Sequence, residues 1–299
     1  MRIGTRASAL ALAQAAAVAQ RIPGGELVPI SSRAEADASA DKSRFVAALE
    51  RALRSGDVDV AVHSAKDVPG EPGEGLELVA APARAAVEDV ICGGAGRLED
   101  LRRGARVGTS SVRRVAQLRA AREDLELVEL RGNVDTRLRK LADGEVDALV
   151  LARAGLQRLG REDAVGAVLD PRRFVPAPGQ GTLVLQARAG DARAREALAP
   201  LGDADTFACL LAERALAAAL QASCDVPLGA LATPAGTGGV RLRAWIGSPD
   251  GSAWICDELL GERSRPESLG RELAQRMKLV GASEILAVAR GVASEGRAL

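Results

Sequence analysis

The chain has no tyrosine, three phenylalanines and two tryptophans, so aromatic residues make up 2% of its 299 positions. Proteins that hold single-stranded nucleic acid need stacking rings together with a cationic groove. The second requirement fails as well, because 40 Lys plus Arg are balanced by 40 Asp plus Glu, and no global field steers the protein toward nucleic acid. No apolar run reaches the ~20 residues of a membrane span, and no charged-then-apolar leader precedes the strand-like pattern that starts at Arg2. A cytoplasmic protein with no membrane partner is therefore expected. Histidine is nearly absent too: His63 stands alone, so Ser-His or Cys-His catalysis would have to run through that one ring. The four cysteines, Cys92, Cys209, Cys224 and Cys256, have neither C-x-x-C spacing nor a nearby His, which argues against a zinc site and a disulfide framework.

What the chain does have is apolar material, 47% of its residues, and a length that suggests roughly two domains. It also echoes itself. Arg2-Ile3-Gly4-Thr5-Arg6-Ala7-Ser8-Ala9-Leu10 returns in outline as Arg106-Val107-Gly108-Thr109-Ser110-Ser111-Val112-Arg113-Arg114, and Gly56-Asp57-Val58-Asp59 returns as Gly144-Glu145-Val146-Asp147. Both echoes run in the same order, which predicts two related α/β lobes around a cleft, and clefts hold ligands. Helical spacing over Ala9 to Gln20, Phe45 to Arg54, Val112 to Arg122 and Asp135 to Asp143 alternates with strand-like runs, a pattern that predicts parallel strands with helices on both faces. Breaker-rich Pro176-Ala177-Pro178-Gly179-Gln180-Gly181 ends the second lobe, and Leu183 to Ala187 reads as a strand returning to the first.

The last third differs in character. Asp205-Thr206 is predicted to cap a helix running to about Gln221. A strand over Val240 to Ile246, a turn at Ser248-Pro249-Asp250-Gly251, a strand over Ala253 to Cys256 and a helix from Pro266 to Val280 follow, which reads as a small α+β domain with an antiparallel sheet. The expected boundaries are 1–84 with 182–202 for lobe 1, 85–181 for lobe 2 and 203–299 for the third domain.

Cations are placed where chemistry would use them. Arg113 and Arg114 fall in the first turn of a predicted helix, where the dipole already concentrates positive charge. That conflict resolves if the Gly108-Thr109-Ser110-Ser111 loop and the two arginines together take an anion. Arg6, Lys66 and Arg131 also follow predicted strands, at the ends where α/β sheets bind ligands. The implied ligand is a polyanion, gripped through charge-assisted hydrogen bonds. Asp67, beside Lys66, is placed to stabilise a cationic intermediate and exchange protons with it; a turn or cap aspartate is the blander alternative. Cys224, on a loop of small residues before Pro227, is either a nucleophile or covalent anchor or a structural thiol. His63 is more readily a hydrogen-bonded core histidine than a base.

Several segments together resemble hydroxymethylbilane synthase, also called porphobilinogen deaminase. They are Gly4-Thr5-Arg6-Ala7-Ser8, Ala61 to Pro69, Val107 to Arg114, Leu130-Arg131-Gly132-Asn133-Val134, Ala154 to Gly160, Pro178-Gly179-Gln180-Gly181 and Cys224-Asp225-Val226-Pro227-Leu228-Gly229. The resemblance implies two periplasmic-binding-protein-like lobes and a small α+β C-terminal domain. It also implies a monomer that condenses four porphobilinogen molecules on a dipyrromethane cofactor held by a thioether to Cys224, and then releases 1-hydroxymethylbilane. On that likeness Asp67 assists loss of ammonia. Ser64, Lys66, Thr109, Ser111, Arg113 and Arg114 hold the cofactor, while Arg6, Ser8, Arg131, Arg137 and Arg158 hold porphobilinogen and the growing polypyrrole chain. The family usually has a Gly-rich lid between Arg33 and Phe45; here a shorter, Gly-poor segment, 34–44, stands there and includes Lys42. Glu88 stands where the family commonly has Arg. Two other readings compete: a non-catalytic two-lobed binder of a polycarboxylate, which fits the echo equally well, and a nucleotide site at the Gly108 loop, which lacks a full Gly-rich fingerprint.

Overall fold

The computed structural model describes residues 1–31, 42–93, 96–222 and 225–294. In chain order the elements are β1 (Arg2–Arg6), α1 (Ala9–Ala19), β2 (Glu26–Ile30), α2 (Lys42–Ser55), β3 (Val60–Ser64), β4 (Leu76–Ala80), β5 (Asp89–Cys92), β6 (Arg106–Thr109) and α3 (Val112–Ala121). Next come β7 (Glu126–Glu129), α4 (Val134–Ala142), β8 (Ala148–Ala152), α5 (Arg153–Arg158), β9 (Val165–Val168), β10 (Leu183–Arg188), α6 (Ala192–Leu198) and α7 (Ala204–Ala219). The chain finishes with β11 (Leu228–Ala235), β12 (Gly239–Gly247), β13 (Trp254–Glu262), α8 (Pro266–Leu279) and α9 (Ala282–Ser294). It divides into two compact units, one formed by Met1–Ala85 with Gly179–Phe207, the other by Ala86–Pro178 with Ala208–Leu299.

The first unit is built on a five-stranded sheet of order β2-β1-β3-β10-β4. β3 is apolar on both faces, as a strand covered on both sides must be. Val60 and Val62 pack with Ile3, Ala15, Val18 and Leu198, whereas Ala61 packs with Leu49 and Leu53 of α2. β1 runs parallel to β2 and β3, and β10 lies antiparallel between β3 and β4. The strand expected to return to the first lobe thus completes its sheet, running antiparallel to both neighbours.

The second unit holds a sheet of order β7-β6-β8-β5-β9, in which β5 is the reversed strand. Its order matches that of the first sheet strand for strand, and so does its register. Ile3 faces Val60 as Val107 faces Ala148, and Gly4 faces Ala61 as Gly108 faces Leu149. The echoed acids secure that register. Asp59 accepts from the Arg2 backbone N–H at 2.7 Å and from its guanidinium at 3.0 Å; Asp147 accepts from the Arg106 N–H at 2.7 Å and from its guanidinium at 3.3 Å. These partly exposed ion pairs contribute at most about 1 kcal/mol each, so their chief effect is alignment.

The same unit carries the expected antiparallel sheet, β11-β12-β13. One face buries Leu242, Ala244 and Ile246 against Leu216, Leu273, Met277 and Leu286 from the helices; the other sets Leu231 and Trp245 against Ala116 and Val175. β11 is an edge strand, and its outward amides are occupied: Ala230 N–H donates to the Pro176 carbonyl at 2.8 Å, Ala232 N–H donates to Glu213 Oε1 at 2.7 Å, and Pro234 has no N–H. An edge managed in this way offers little for another chain to pair with. The cap of α7 differs from expectation. Asp203, two residues earlier than predicted, accepts the Thr206 N–H at 2.7 Å.

Candidate functional site

In the first unit β1 and β3 end side by side. After β1, the Thr5 hydroxyl donates to the Ala11 carbonyl at 3.1 Å and Ser8 caps α1 by accepting the Ala11 N–H at 3.4 Å. The Arg6 guanidinium lies 3.8 Å over the centroid of the Phe45 ring, a cation–π geometry. Its Nε is buried with no hydrogen-bond partner among the described residues. After β3 comes a single turn of 3-10 helix over Ala65–Asp67, following the half-buried Ser64, which makes no side-chain cap. Lys66 and Asp67 are half-buried in that turn. Its first amide, Ala65 N–H, donates to the Thr182 carbonyl at 3.0 Å.

His63, by contrast, is absorbed into the core. The Glu50 carboxylate can only accept, so at 2.9 Å it takes the Gln186 amide N–H; Gln186 Oε1 is thereby turned toward His63 Nε2 at 2.8 Å. The logic of the chain puts a proton on Nε2. The ring is 5% exposed, and these contacts make it structural.

In the second unit the equivalent loop follows β6. The buried Thr109 hydroxyl accepts the Ser111 N–H at 3.3 Å, and Ser111 caps α3 by accepting the Arg114 N–H at 3.5 Å. Arg137, on α4 behind its Asn133 cap, donates to Ser110 Oγ at 3.1 Å. Its Nε is buried without a hydrogen-bond partner among the described residues. Burial first, and the neighbouring Arg114 charge second, push the Arg137 guanidinium down to about 10. Arg158, the last residue of α5, is also lowered by burial.

The two arginines that open α3 have a partner that sequence reasoning missed. Asp89, 1% exposed, accepts from Arg113 Nη2 at 2.8 Å and from Arg114 Nε and Nη2 at 3.1 and 2.7 Å. Arg113 Nη1 is further committed to Gln117 at 3.0 Å and the Val175 carbonyl at 2.9 Å, and Arg114 Nη1 to the Val150 carbonyl at 3.1 Å. Burial opposes the Asp89 charge, yet the two guanidiniums hold its carboxyl far below the usual range. Burial lowers Arg113 as well. The charge conflict at the start of α3 is thus met in part from within the protein, and the triad keeps one net positive charge. The signal was in the chain as an acid inside an apolar run, Asp89-Val90-Ile91-Cys92, where a carboxylate needs a buried partner.

Arg131 is exposed and paired with Glu129, two residues earlier. Glu88 lies 3.8 Å from Arg153, and its Oε2 is buried with no hydrogen-bond partner among the described residues. Cys224, the expected anchor, lies outside the described residues, as does the lid segment through residue 41, while Lys42 begins α2. Of the residues singled out, Arg6, Ser8, Ser64, Lys66 and Asp67 belong to the first unit, and Thr109, Ser111, Arg113, Arg114, Arg131, Arg137 and Arg158 to the second. Arg6, Ser8, Ser64, Lys66, Asp67, Ser111 and Arg131 lie at or just beyond strand ends, whereas Arg137 and Arg158 stand on the helices that follow.

Comparison with known proteins adds a separate line. The family model described as porphobilinogen deaminase, dipyromethane cofactor binding domain, matches residues 1–196, and that described as porphobilinogen deaminase, C-terminal domain, matches residues 207–279. Relatives named porphobilinogen deaminase include those of Xanthomonas oryzae pv. oryzae, 46% identical over 96% of this chain and 98% of that one, and of Thermus thermophilus, 44% identical with the same coverage. That of Roseiflexus castenholzii is 43% identical, again with the same coverage. Among solved structures, a TRAP periplasmic solute binding protein from Desulfovibrio salexigens is 12% identical, with a TM-score of 0.40 over 67% of this chain and 71% of that one.

Proposed function

The chain belongs to the porphobilinogen deaminase family, and on that premise we propose how its residues divide the work of the reaction. The enzyme is a transferase of porphyrin and heme biosynthesis: it deaminates and condenses four porphobilinogen molecules head to tail on a covalent dipyrromethane primer and releases 1-hydroxymethylbilane. The binding-protein alternative gives way because the family match covers the C-terminal domain as well as the echoed halves.

Each pyrrole of substrate and primer carries an acetate and a propionate, and the second unit has the donors such groups need. The observation that carries the assignment is Arg137, a half-buried cation beside the Ser110-Ser111 loop whose buried Nε has no hydrogen-bond partner among the described residues. Burying a guanidinium without a carboxylate is unfavourable, and an acidic ring would supply the missing charge. In this proposal Ser64, Lys66, Thr109, Ser111, Arg113 and Arg114 hold the primer. Arg6, Ser8, Arg131, Arg137 and Arg158 take porphobilinogen and the lengthening chain. Cys224 forms the thioether. When bound, the dipyrromethane supplies the carbon nucleophile to which units are added. Asp67 faces a different task. Loss of ammonia from porphobilinogen leaves a cation, and a half-buried carboxylate stabilises it more strongly than water would. The same carboxylate takes and returns the proton that coupling liberates. We propose three domains, 1–84 with 182–202, 85–181 and 203–299. The same proposal holds that the enzyme is a cytoplasmic monomer without a nucleic-acid partner. Among the described residues, no helix is long and apolar enough to cross a membrane.

Two measurements test this assignment. Intact mass should exceed the 30.9 kDa of the chain by one dipyrromethane unit, and Cys224→Ser should lose the increment; an active, folded and unmodified enzyme would sink the anchor assignment. Asp67→Asn should keep the increment while turnover falls by roughly 10²–10³; near-normal rates would remove Asp67 from the chemistry.

A further inference from the structure

The turn that carries Asp67 is braced by a second strip of backbone, and the contact depends on a missing side chain. Gly179 has φ +73°, and a Cβ built there would come 2.9 Å from both the Ala65 carbonyl carbon and the Lys66 nitrogen, and 3.0 Å from the Ala65 Cβ. Real Cβ atoms do not approach backbone so closely, so any side chain forces one strip to move. The strip holding Gly179 is fixed on several sides. Thr182 N–H donates to the Gly179 carbonyl at 3.1 Å, Arg84 Nε to the Gln180 carbonyl at 2.8 Å, and Ala85 N–H to the Gly181 carbonyl at 3.2 Å. The opposing turn spans three residues, Ala65–Asp67, and the contacted Ala65–Lys66 peptide immediately precedes the one that carries into Asp67.

We propose that Gly179 is a positioning residue for Asp67: by bringing bare backbone against Ala65 and Lys66, it fixes where the Asp67 carboxylate stands. A side chain at 179 would press directly on the Ala65–Lys66 peptide, while the hydrogen bonds at Gly179, Gln180 and Gly181 hold its own strip in place. This rests on the assignment of Asp67 as the catalytic carboxylate.

The chain supplies its own control. Gly75, in the same unit, has the same φ of +73° with nothing within 4 Å of the Cβ position. Gly75→Ala therefore incurs the steric penalty of a left-handed alanine without displacing anything, while Gly179→Ala incurs that penalty and pushes on the turn. The experiment compares kcat, KM, intact mass and thermal stability of the full-length, cofactor-loaded enzyme and the two variants. Both should lose stability and both should keep the cofactor increment. Only Gly179→Ala should lose kcat, by tenfold or more, with KM within about threefold of the parent, since the binding arginines are not displaced. In an Asp67→Asn background, Gly179→Ala should cost little further kcat. If Gly179→Ala turns over like Gly75→Ala, the bracing role is wrong. If Asp67→Asn itself retains near-normal kcat, the assignment of Asp67 fails first and takes this proposal with it. Should Gly179→Ala fail to fold, Ala65→Val enlarges the same contact from the side of the turn, and the same selective loss of kcat is required.

Discussion

Replacing Arg137 by methionine should stabilise the cofactor-free protein and cripple the loaded one. The fall of its guanidinium from its ordinary value to about 10 corresponds to about 3 kcal/mol of unfavourable burial at ~1.4 kcal/mol for each pH unit. Methionine fills comparable space without charge and loses only the hydrogen bond to Ser110, which contributes about 1 kcal/mol. The net gain is about 2 kcal/mol. The assay is urea unfolding at pH 7 in a Cys224→Ser background, where no covalent cofactor can supply a compensating carboxylate. There Arg137→Met should move the midpoint of the transition upward. With Cys224 intact, the same substitution removes a charge-assisted bond contributing about 1.5–3 kcal/mol, so KM for porphobilinogen should rise about 10- to 100-fold. A midpoint that falls would refute the view of Arg137 as a cation stored at a cost for its ligand. So would an unchanged KM.

Two further outcomes are expected. Asp89→Asn leaves two buried guanidiniums without their carboxylate and should cost about 3–5 kcal/mol in urea unfolding. Because the folded-state value of Asp89 lies below its unfolded value, its contribution is complete above about pH 4 and is lost as pH falls toward the folded value. The gap between parent and variant should therefore hold steady from pH 7 to about pH 4 and narrow below; a gap that widens in acid would contradict the triad. Phe45→Leu removes the ring beneath Arg6, a contact of about 0.5–2 kcal/mol, and should raise KM about 2- to 30-fold. Phe45→Tyr should restore it, and a loss of stability with KM unmoved would leave the ring a core residue only.

The echo was legible because it is a pattern of spacing, and spacing fixes register: Arg2 with Asp59 and Arg106 with Asp147 recur since each pair aligns two neighbouring parallel strands. Elements that escaped sequence reasoning lack such a pattern. β5 and β9 are four residues each, too short for periodicity to declare itself, and β11 is rich in Ala and Gly, residues that carry little strand preference. α9 follows directly on the Gly281 that closes α8, so no loop announced it. The arginines of α3 were correctly singled out as anomalous, but their counter-ion sits 24 and 25 positions upstream, a distance that only the fold closes. His63 is the hydrogen-bonded core histidine that its sequence context favoured, but the residues that hold it there, Gln186 and through it Glu50, come from β10 and α2 and could not be named in advance.

β10 has a consequence for how the molecule is made. It lies between β3 and β4, yet it is encoded about a hundred residues after β4. When residue 85 leaves the ribosome, β3 and β4 have no strand to join them, and the sheet cannot close until residue 188 follows. At about 5–20 residues per second, that delay lasts several seconds to some twenty. The second five-stranded sheet is complete by Val168, so of the two five-stranded sheets the one begun first is closed last, with an open apolar gap that a nascent chain must shield while it waits.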